Sequence, residues 1–172
     1  MTREEFKVIV KGMKAIYSDP KFIADQDAFD VWYALFANDD YKVIQAAVQK
    51  HMMTSTAIPT PAHIKEAAVS LTMPRSLNEE EAWQLVIKAV RNSNYYADEE
   101  FAKLPESVQR AIASPTNLRE LAMMPTETVN SVEKSHFFRV YRAETERAKE
   151  TAKLPESIRT LIAETGRKMI SG

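Results

Sequence analysis

The sequence contains no cysteine and only three glycines, Gly12, Gly166 and Gly172, in its 172 residues. Without cysteine there can be no disulfide, no thiolate nucleophile and no cysteine-ligated zinc site. Loops that cradle phosphate groups need several glycines to turn tightly and to point backbone N–H groups at the anion. These absences exclude a Walker A loop and a dinucleotide-binding fingerprint.

Long apolar runs and an excess of charge of one sign are also absent. No segment approaches the ~18 uncharged apolar residues of a membrane-spanning helix, and the charged start, Met1 to Phe6, lacks the apolar core of a signal peptide. The formal net charge is -1, from 23 basic and 24 acidic residues. We therefore expect a protein of the cytoplasm with no membrane partner and no general attraction to nucleic acid.

Apolar residues that recur every three to four positions predict an all-α protein. Capping signals mark the predicted helix starts: Thr2 with Glu5, then Asp25, Asp40, and Thr60 before Pro61. The four helices that follow end near Leu71, and Trp32 is a predicted core anchor. The sequence thus predicts a compact N-terminal four-helix domain over residues 1–73.

A second helical region is predicted over residues 76–172, after the boundary Met73-Pro74-Arg75-Ser76. Ser76 and Glu79 have the spacing of a capping box, and Trp83 lies among apolar residues at helical spacing. Prolines then divide the chain into short helices. One long helix is predicted from Thr126 to about Lys149, and a last helix after Pro155.

The predicted long helix carries an apolar stripe formed by Val129, Val132, His136, Phe137, Val140 and Tyr141. Adjacent helical residues point about 100° apart, so Phe138 can face outward where Phe137 faces the core. Phenylalanine and arginine are frequent at protein interfaces, which makes the segment around Phe138, Arg139 and Arg142 a candidate partner surface. Plain packing, or a thin nucleic-acid patch, remains an alternative for this segment. Beyond Tyr141 the sequence is almost wholly polar, which predicts an exposed stretch.

No catalytic constellation is visible in the sequence. His51, His63 and His136 fall on three different predicted helices, where surface, boundary or packing roles explain them. The acidic run Glu79-Glu80-Glu81 lies in the first turn of a predicted helix, where negative charge complements the helix dipole and stays solvated. We predict no catalytic residues, no metal site and no cofactor, and hence a protein that binds other macromolecules and is not an enzyme.

A short internal repeat stands apart from these patterns. Ala102 to Val108 reads AKLPESV, and Ala152 to Ile158 reads AKLPESI. A leucine before a proline-initiated helix, with glutamate at the positive end of the helix dipole, is a plausible helix-start device. The repeat is therefore either convergent helix-start chemistry or a pair of elements that dock into equivalent grooves of a symmetric partner.

Several segments of the N-terminal region follow the pattern of a known family. They are Phe29 to Phe36, Asp39-Asp40-Tyr41, and Ile58 to Ile64. Over roughly residues 1–71 the chain resembles the loader/inhibitor proteins that tailed phages use on replicative helicases. The C-terminal half is similar to the second region of phage proteins with this role, through Glu81 to Trp83, Phe101 to Pro105, Val108 to Ala111, Ser114 to Glu120, and Phe137 to Arg142. It departs from that pattern at Ala113, where glycine is expected, and at Leu121, where tryptophan is expected.

The resemblance implies a bacteriophage DNA replication protein of the host cytoplasm. Such a protein binds a hexameric DnaB-type helicase, inhibits it, and loads it at the origin through an origin-bound initiator. The resemblance implies helicase contacts after about Thr126, with five candidates: Phe138, Arg139, Arg142, Leu161 and Ile162.

Two other functions fit a small helical protein: a DNA-binding initiation protein of the helix-turn-helix type, and a structural adaptor of the virion. Residues 1–74 carry 8 basic and 9 acidic residues, and residues 75–172 carry 15 of each. Because both regions are near neutral, we expect no direct specific nucleic-acid binding.

Overall fold

A computed structural model of the chain describes the backbone of residues 1–170 and side chains through Thr165, so the last two residues of the predicted region 76–172 lie outside it. The helices are α1 (Arg3–Ile16), α2 (Gln26–Phe36), α3 (Tyr41–Thr54), α4 (Pro61–Thr72), α5 (Glu79–Val90), α6 (Ser93–Ala102), α7 (Glu106–Ile112), α8 (Pro115–Met123), α9 (Thr126–Thr128, the π-helical Val129–Glu133, and Lys134–Lys153) and α10 (Glu156–Ile170). Residues 1–170 contain no strand, which confirms the all-α prediction.

The chain divides into two compact units. Unit 1 contains residues 1–74 together with the segment from Glu150 onward, and unit 2 is Arg75–Lys149. One division falls at the Pro74–Arg75 linker, and the other falls inside α9. The assignment of separate functional domains to 1–73 and 76–172 stays a prediction.

The helix starts of unit 1 are set by the side chains that the sequence indicated. The Thr2 hydroxyl accepts from the Glu5 amide at 3.2 Å, and the Glu5 carboxylate accepts from the Thr2 amide at 2.7 Å. Asp25, Asp40 and Thr60 likewise cap α2, α3 and α4. Each cap satisfies backbone N–H groups of a first turn that have no helical partner.

The core of unit 1 is aromatic where α1 meets α2. Phe6 is fully buried, and its ring lies 5.3 Å from that of Phe29 and 5.9 Å from that of Phe36. Trp32 is only half-buried and lies edge-on to Phe22, with ring centroids 5.6 Å apart. Trp32 therefore packs at the border of the core that it was predicted to anchor.

A buried lysine ties α4 to the turn between α2 and α3. Lys65 forms an ion pair with Asp39, and its ammonium nitrogen lies 5.0 Å above the centre of the Phe36 ring. A buried ammonium is stable only when it is paired, so Asp39 has a structural role as the partner of Lys65.

The first helix of unit 2 is α5, and its cap differs from the one predicted. The capping box is formed by Asn78 and Glu81, with backbone-to-side-chain distances of 2.8 and 2.9 Å, and not by Ser76 and Glu79. The helix starts two residues later because Leu77, just before the cap, packs against the core of unit 2. The Asn78 amide oxygen accepts the same bond that a serine hydroxyl would have accepted.

The long helix α9 contains the predicted Thr126 to Lys149 segment and continues to Lys153. Its buried face differs from the predicted stripe: Val129, Phe137 and Tyr141 are buried, whereas Val132 and His136 are exposed. In a regular α-helix, Val129 and Phe137 would point about 80° apart. The π-helical turn at Val129–Glu133 rotates less per residue and brings the two onto one face. His136 is therefore not the packing residue that the sequence predicted.

Alanine stands at position 113, where glycine was expected, and it has an unusual backbone conformation at the end of α7. Ala113 ends the helix with φ 73° and ψ -41°, and its N–H bonds to the Gln109 carbonyl. A positive φ brings the Cβ atom close to the backbone, which only glycine avoids. The chain thus carries strain at the position where the sequence analysis expected glycine.

We predict that Ala113→Gly stabilises unit 2 by about 1 kcal/mol, because it removes this Cβ strain. Urea unfolding followed by circular dichroism measures the change. Ala111→Gly is the matched control, since glycine inside the same helix should destabilise by about 1 kcal/mol. Equal shifts of the same sign in both variants would contradict the assignment of strain to Ala113.

Candidate functional site

Three of the five candidate residues lie on α9, which packs on α5 through stacked aromatic rings. The Phe137 ring lies 5.3 Å from the Trp83 ring and 5.5 Å from the Tyr141 ring. The Tyr141 hydroxyl donates to the Leu77 carbonyl at 3.0 Å. This packing buries Phe137 and Tyr141 and fixes which residues of α9 face solvent.

Ion pairs at the start of α5 hold the outer side of α9. Arg142 donates from Nε and from a terminal guanidinium nitrogen to Glu79 Oε1, at 2.8 and 2.7 Å. The Lys134 ammonium lies 2.7 Å from a Glu80 carboxylate oxygen. The acidic run is thus more than a solvated first turn, because two of its carboxylates bind cations of α9. The sequence could not show this pairing, since the partners lie on helices far apart along the chain.

The remaining surface of α9 combines an aromatic ring with arginine side chains. Phe138 is half-buried against the unit 2 core, and the Lys134 ammonium lies 5.4 Å from its ring centre. Arg139 is exposed and forms no ion pair with any described residue. Phe138 and Arg139 line one shallow depression together with Ser135, Arg142, Ala143 and Glu146. We term this depression the α9 surface.

The electrostatics of the α9 surface are set at its border by Glu80. A hydrogen bond from the Lys134 ammonium lowers the pKa of Glu80 below its ordinary value of 4.5, and a second hydrogen bond from the Gln84 amide acts in the same direction. The positive charge of Lys134 is therefore paired with the Glu80 carboxylate, and that of Arg142 is paired with the Glu79 carboxylate. Arg139 is the arginine of this surface whose charge is free for a partner.

The other two candidates lie on α10, which belongs to unit 1. Leu161 and Ile162 are exposed, and Ile158 on the same helix is exposed as well. The structure thus brings Phe138, Arg139 and Arg142 together on one helix face and places Leu161 and Ile162 on a different helix. The candidates form two surfaces, one aromatic and cationic and one aliphatic.

Two histidines that the sequence assigned to separate helices meet in unit 1. The rings of His51 and His63 stack with centroids 5.3 Å apart. His51 Nε2 lies 2.9 Å from the Ala57 carbonyl, and His63 Nδ1 accepts from the Thr60 amide. The pair joins the end of α3 to the start of α4 and has a structural role. Within the described part of the chain, no group of three or more His, Asp or Glu side chains is placed to hold a metal ion.

Comparison with known proteins addresses unit 1. Residues 1–65 match the family model for the N-terminal domain of a phage helicase loader/inhibitor. The predicted family resemblance is therefore confirmed over these residues. The match covers α1 to α3 and the first turn of α4, and the similarity proposed for the C-terminal half stays a prediction. Nothing among curated proteins or solved structures matches the chain.

The family match ends at Lys65, before both candidate surfaces. The match therefore describes residues 1–65 and does not assign a role to the α9 surface or to α10. Across the described residues, the structure contains no helix both long enough and apolar enough to span a lipid bilayer.

We predict a pH dependence for the contact between Glu80 and Lys134. A carboxyl group whose pKa is lowered by folding stabilises the folded state above its ordinary pKa, and this contribution is lost as the pH falls through the folded-state value. Glu80→Gln should therefore lower the melting temperature slightly at neutral pH. The difference from the wild type should narrow as the pH falls below 4.5 and vanish only once the pH lies below the lowered folded-state pKa of Glu80.

Thermal melting across this pH range tests the prediction. Glu99→Gln is the control, because Glu99 is exposed and forms no ion pair with a described residue. A Glu80→Gln difference that persists unchanged at low pH would show that the carboxylate charge is not responsible.

Proposed function

We propose that this protein binds a hexameric DnaB-type replicative helicase, holds it inactive, and delivers it to the origin through an origin-bound initiator. The observation that carries the proposal is the match of residues 1–65 to the N-terminal domain of a phage helicase loader/inhibitor. The protein acts by binding and uses no cofactor of its own.

The α9 surface supports a docking role because its composition is that of an interface centre. Arginine and aromatic residues dominate the binding energy of protein interfaces when a partner excludes water from them. Phe138 is already held by the unit 2 core, so little side-chain entropy is lost when a partner covers it. The free charge of Arg139 gives this surface its attraction for an acidic group on the helicase.

The aliphatic face of α10 supports a second contact. Ile158, Leu161 and Ile162 recur at helical spacing and are exposed. Burying such a face removes apolar area from water, which contributes about 25 cal/mol for each Å². An amphipathic helix laid into an apolar groove is a common mode of recognition between proteins.

The mechanism is stoichiometric. A ligand that binds one ring conformation more tightly than another shifts the ring toward that conformation by its difference in affinity. The protein would stabilise a loading-competent, inactive ring without hydrolysing nucleotide itself. Initiator or DNA that favours the active conformation would then displace it.

We predict that Arg139→Glu weakens binding to the replicative helicase at least about tenfold, equivalent to about 1.4 kcal/mol. The same variant should lose suppression of the DNA-stimulated ATPase of the helicase in proportion. Titration calorimetry and ATPase assays with the purified full chain measure both effects. Point variants are preferred to truncation at residue 125, because the removed segment includes the buried Val129, Phe137 and Tyr141.

Arg119→Glu is the matched control for this experiment. Arg119 is exposed on α8 of the same unit, forms no ion pair with a described residue, and undergoes the same change of charge. If both variants bind like the wild type, the α9 surface is not the contact. If the wild type binds no replicative helicase of phage or host, the proposed function itself is wrong.

A further inference from the structure

A cavity of about 350 Å³ lies between α7, α8 and α9 of unit 2. The deep part of its wall is apolar and buried. This part is formed by Trp83, Ile112, Leu121 and Phe137. The cavity is open to solvent, because Glu120 and His136 line it and are themselves exposed. A pocket with an apolar interior and a polar mouth can accept an apolar side chain and hold it by burial.

Two irregularities of the backbone border this cavity. Ala113, with its positive φ of 73°, lies in the wall. Glu133, the last residue of the π-helical turn, lies in the wall as well. Strained and π-helical backbone is frequent at functional sites, where the surrounding structure holds it in place. The presence of both at one cavity favours a binding site over a simple packing defect.

The unpaired charge around the cavity is negative. Glu120 and Glu133 line the cavity, and neither forms an ion pair with any described residue. The Arg110 guanidinium, also in the wall, is paired with Glu106 one turn earlier on α7. His136, the other basic side chain of the wall, is formally neutral at pH 7. The two free carboxylates therefore attract a cation and repel an anion such as a nucleic-acid phosphate.

We propose that this cavity is a docking site for a basic segment of a protein partner. The segment inserts one aromatic side chain between Trp83, Met124 and Phe137. Aromatic rings and a methionine sulfur in the wall favour an aromatic ring over an aliphatic chain. A lysine or arginine beside the inserted side chain then lies against Glu120 and Glu133, where charge-assisted hydrogen bonds hold it.

The cavity and the α9 surface lie on different sides of α9 and differ in charge. Arg139 gives the α9 surface its attraction for an acidic group, whereas Glu133 contributes to an attraction for a basic one. The inference goes beyond the proposed function and does not rest on it. Its tests use the purified full chain with synthetic peptides, so their outcome is independent of whether the chain binds a helicase.

Three capped pentapeptides, GKWKG, GEWEG and GKAKG, test the chemistry of the docking site. The methionine methyl groups of the full chain are isotope-labelled and followed by NMR as each peptide is added. Met124 lines the cavity, and Met123, which is exposed and outside the wall, is the internal reference. We expect GKWKG to shift the Met124 signal saturably and to bind at least about tenfold more tightly than either other peptide. The absence of a Met124 shift, or equal binding of GEWEG or GKAKG, overturns the proposal.

Filling the cavity from within should remove the docking site. Ala111 lies in the wall and is half-buried, so leucine at this position extends into the cavity. Ala111→Leu should therefore weaken GKWKG binding at least about tenfold. Ala102→Leu adds the same side chain at an exposed position outside the wall and should bind as the wild type does. Circular dichroism verifies that both variants are folded, and wild-type affinity in a folded Ala111→Leu variant overturns the proposal.

Removing the two carboxylates tests the role of charge while the cavity keeps its volume. The double variant Glu120→Gln/Glu133→Gln should bind GKWKG at least about tenfold less tightly, because the attraction for both lysines is lost. Asp98→Asn/Glu99→Gln is the matched control. Both of its residues are exposed on α6, outside the wall, and form no ion pair with a described residue. Equal affinities of the two double variants overturn the proposal.

Discussion

The packing of α9 on α5 determines which chemical groups unit 2 presents to a partner. Phe137 and Tyr141 stack beside Trp83, and this fixes the rotation of the helix about its axis. Since successive residues are separated by about 100°, that rotation places Phe138 at the border of the core and Arg139 in solvent. The α9 surface is therefore a consequence of core packing on the other side of the same helix. Loss of the aromatic stack would alter both the core packing of unit 2 and the α9 surface.

Much of the fold could be predicted because its signals are local. Thr2, Asp40 and Thr60 cap helices through bonds that span two or three residues, and such spacing is visible in a sequence. The burial of Trp83 followed from helical periodicity. The same reasoning misplaced the start of α5 by two residues, because Asn78 and Ser76 are both good caps and only the packing of Leu77 decides between them.

The candidate site could be predicted less completely, because its contacts are not local. The pairing of Glu79 with Arg142 joins residues on different helices, and no periodic pattern announces it. The π-helical turn changed the register of α9, so Val132 and His136 face solvent where regular spacing buried them. Such turns occur often at functional sites, where the altered register re-aims side chains. In this chain the π-helical turn determines which side chains of α9 face the core and which ones form the α9 surface.

The internal repeat shows why identical local sequence does not imply identical environment. Both copies form the same corner, since proline, glutamate and the preceding leucine specify helix initiation locally. Burial depends on what the rest of the chain provides, and unit 2 accommodates one copy. The apolar face of α10 carries three exposed aliphatic side chains, Ile158, Leu161 and Ile162, and an exposed face of this kind favours association with a partner.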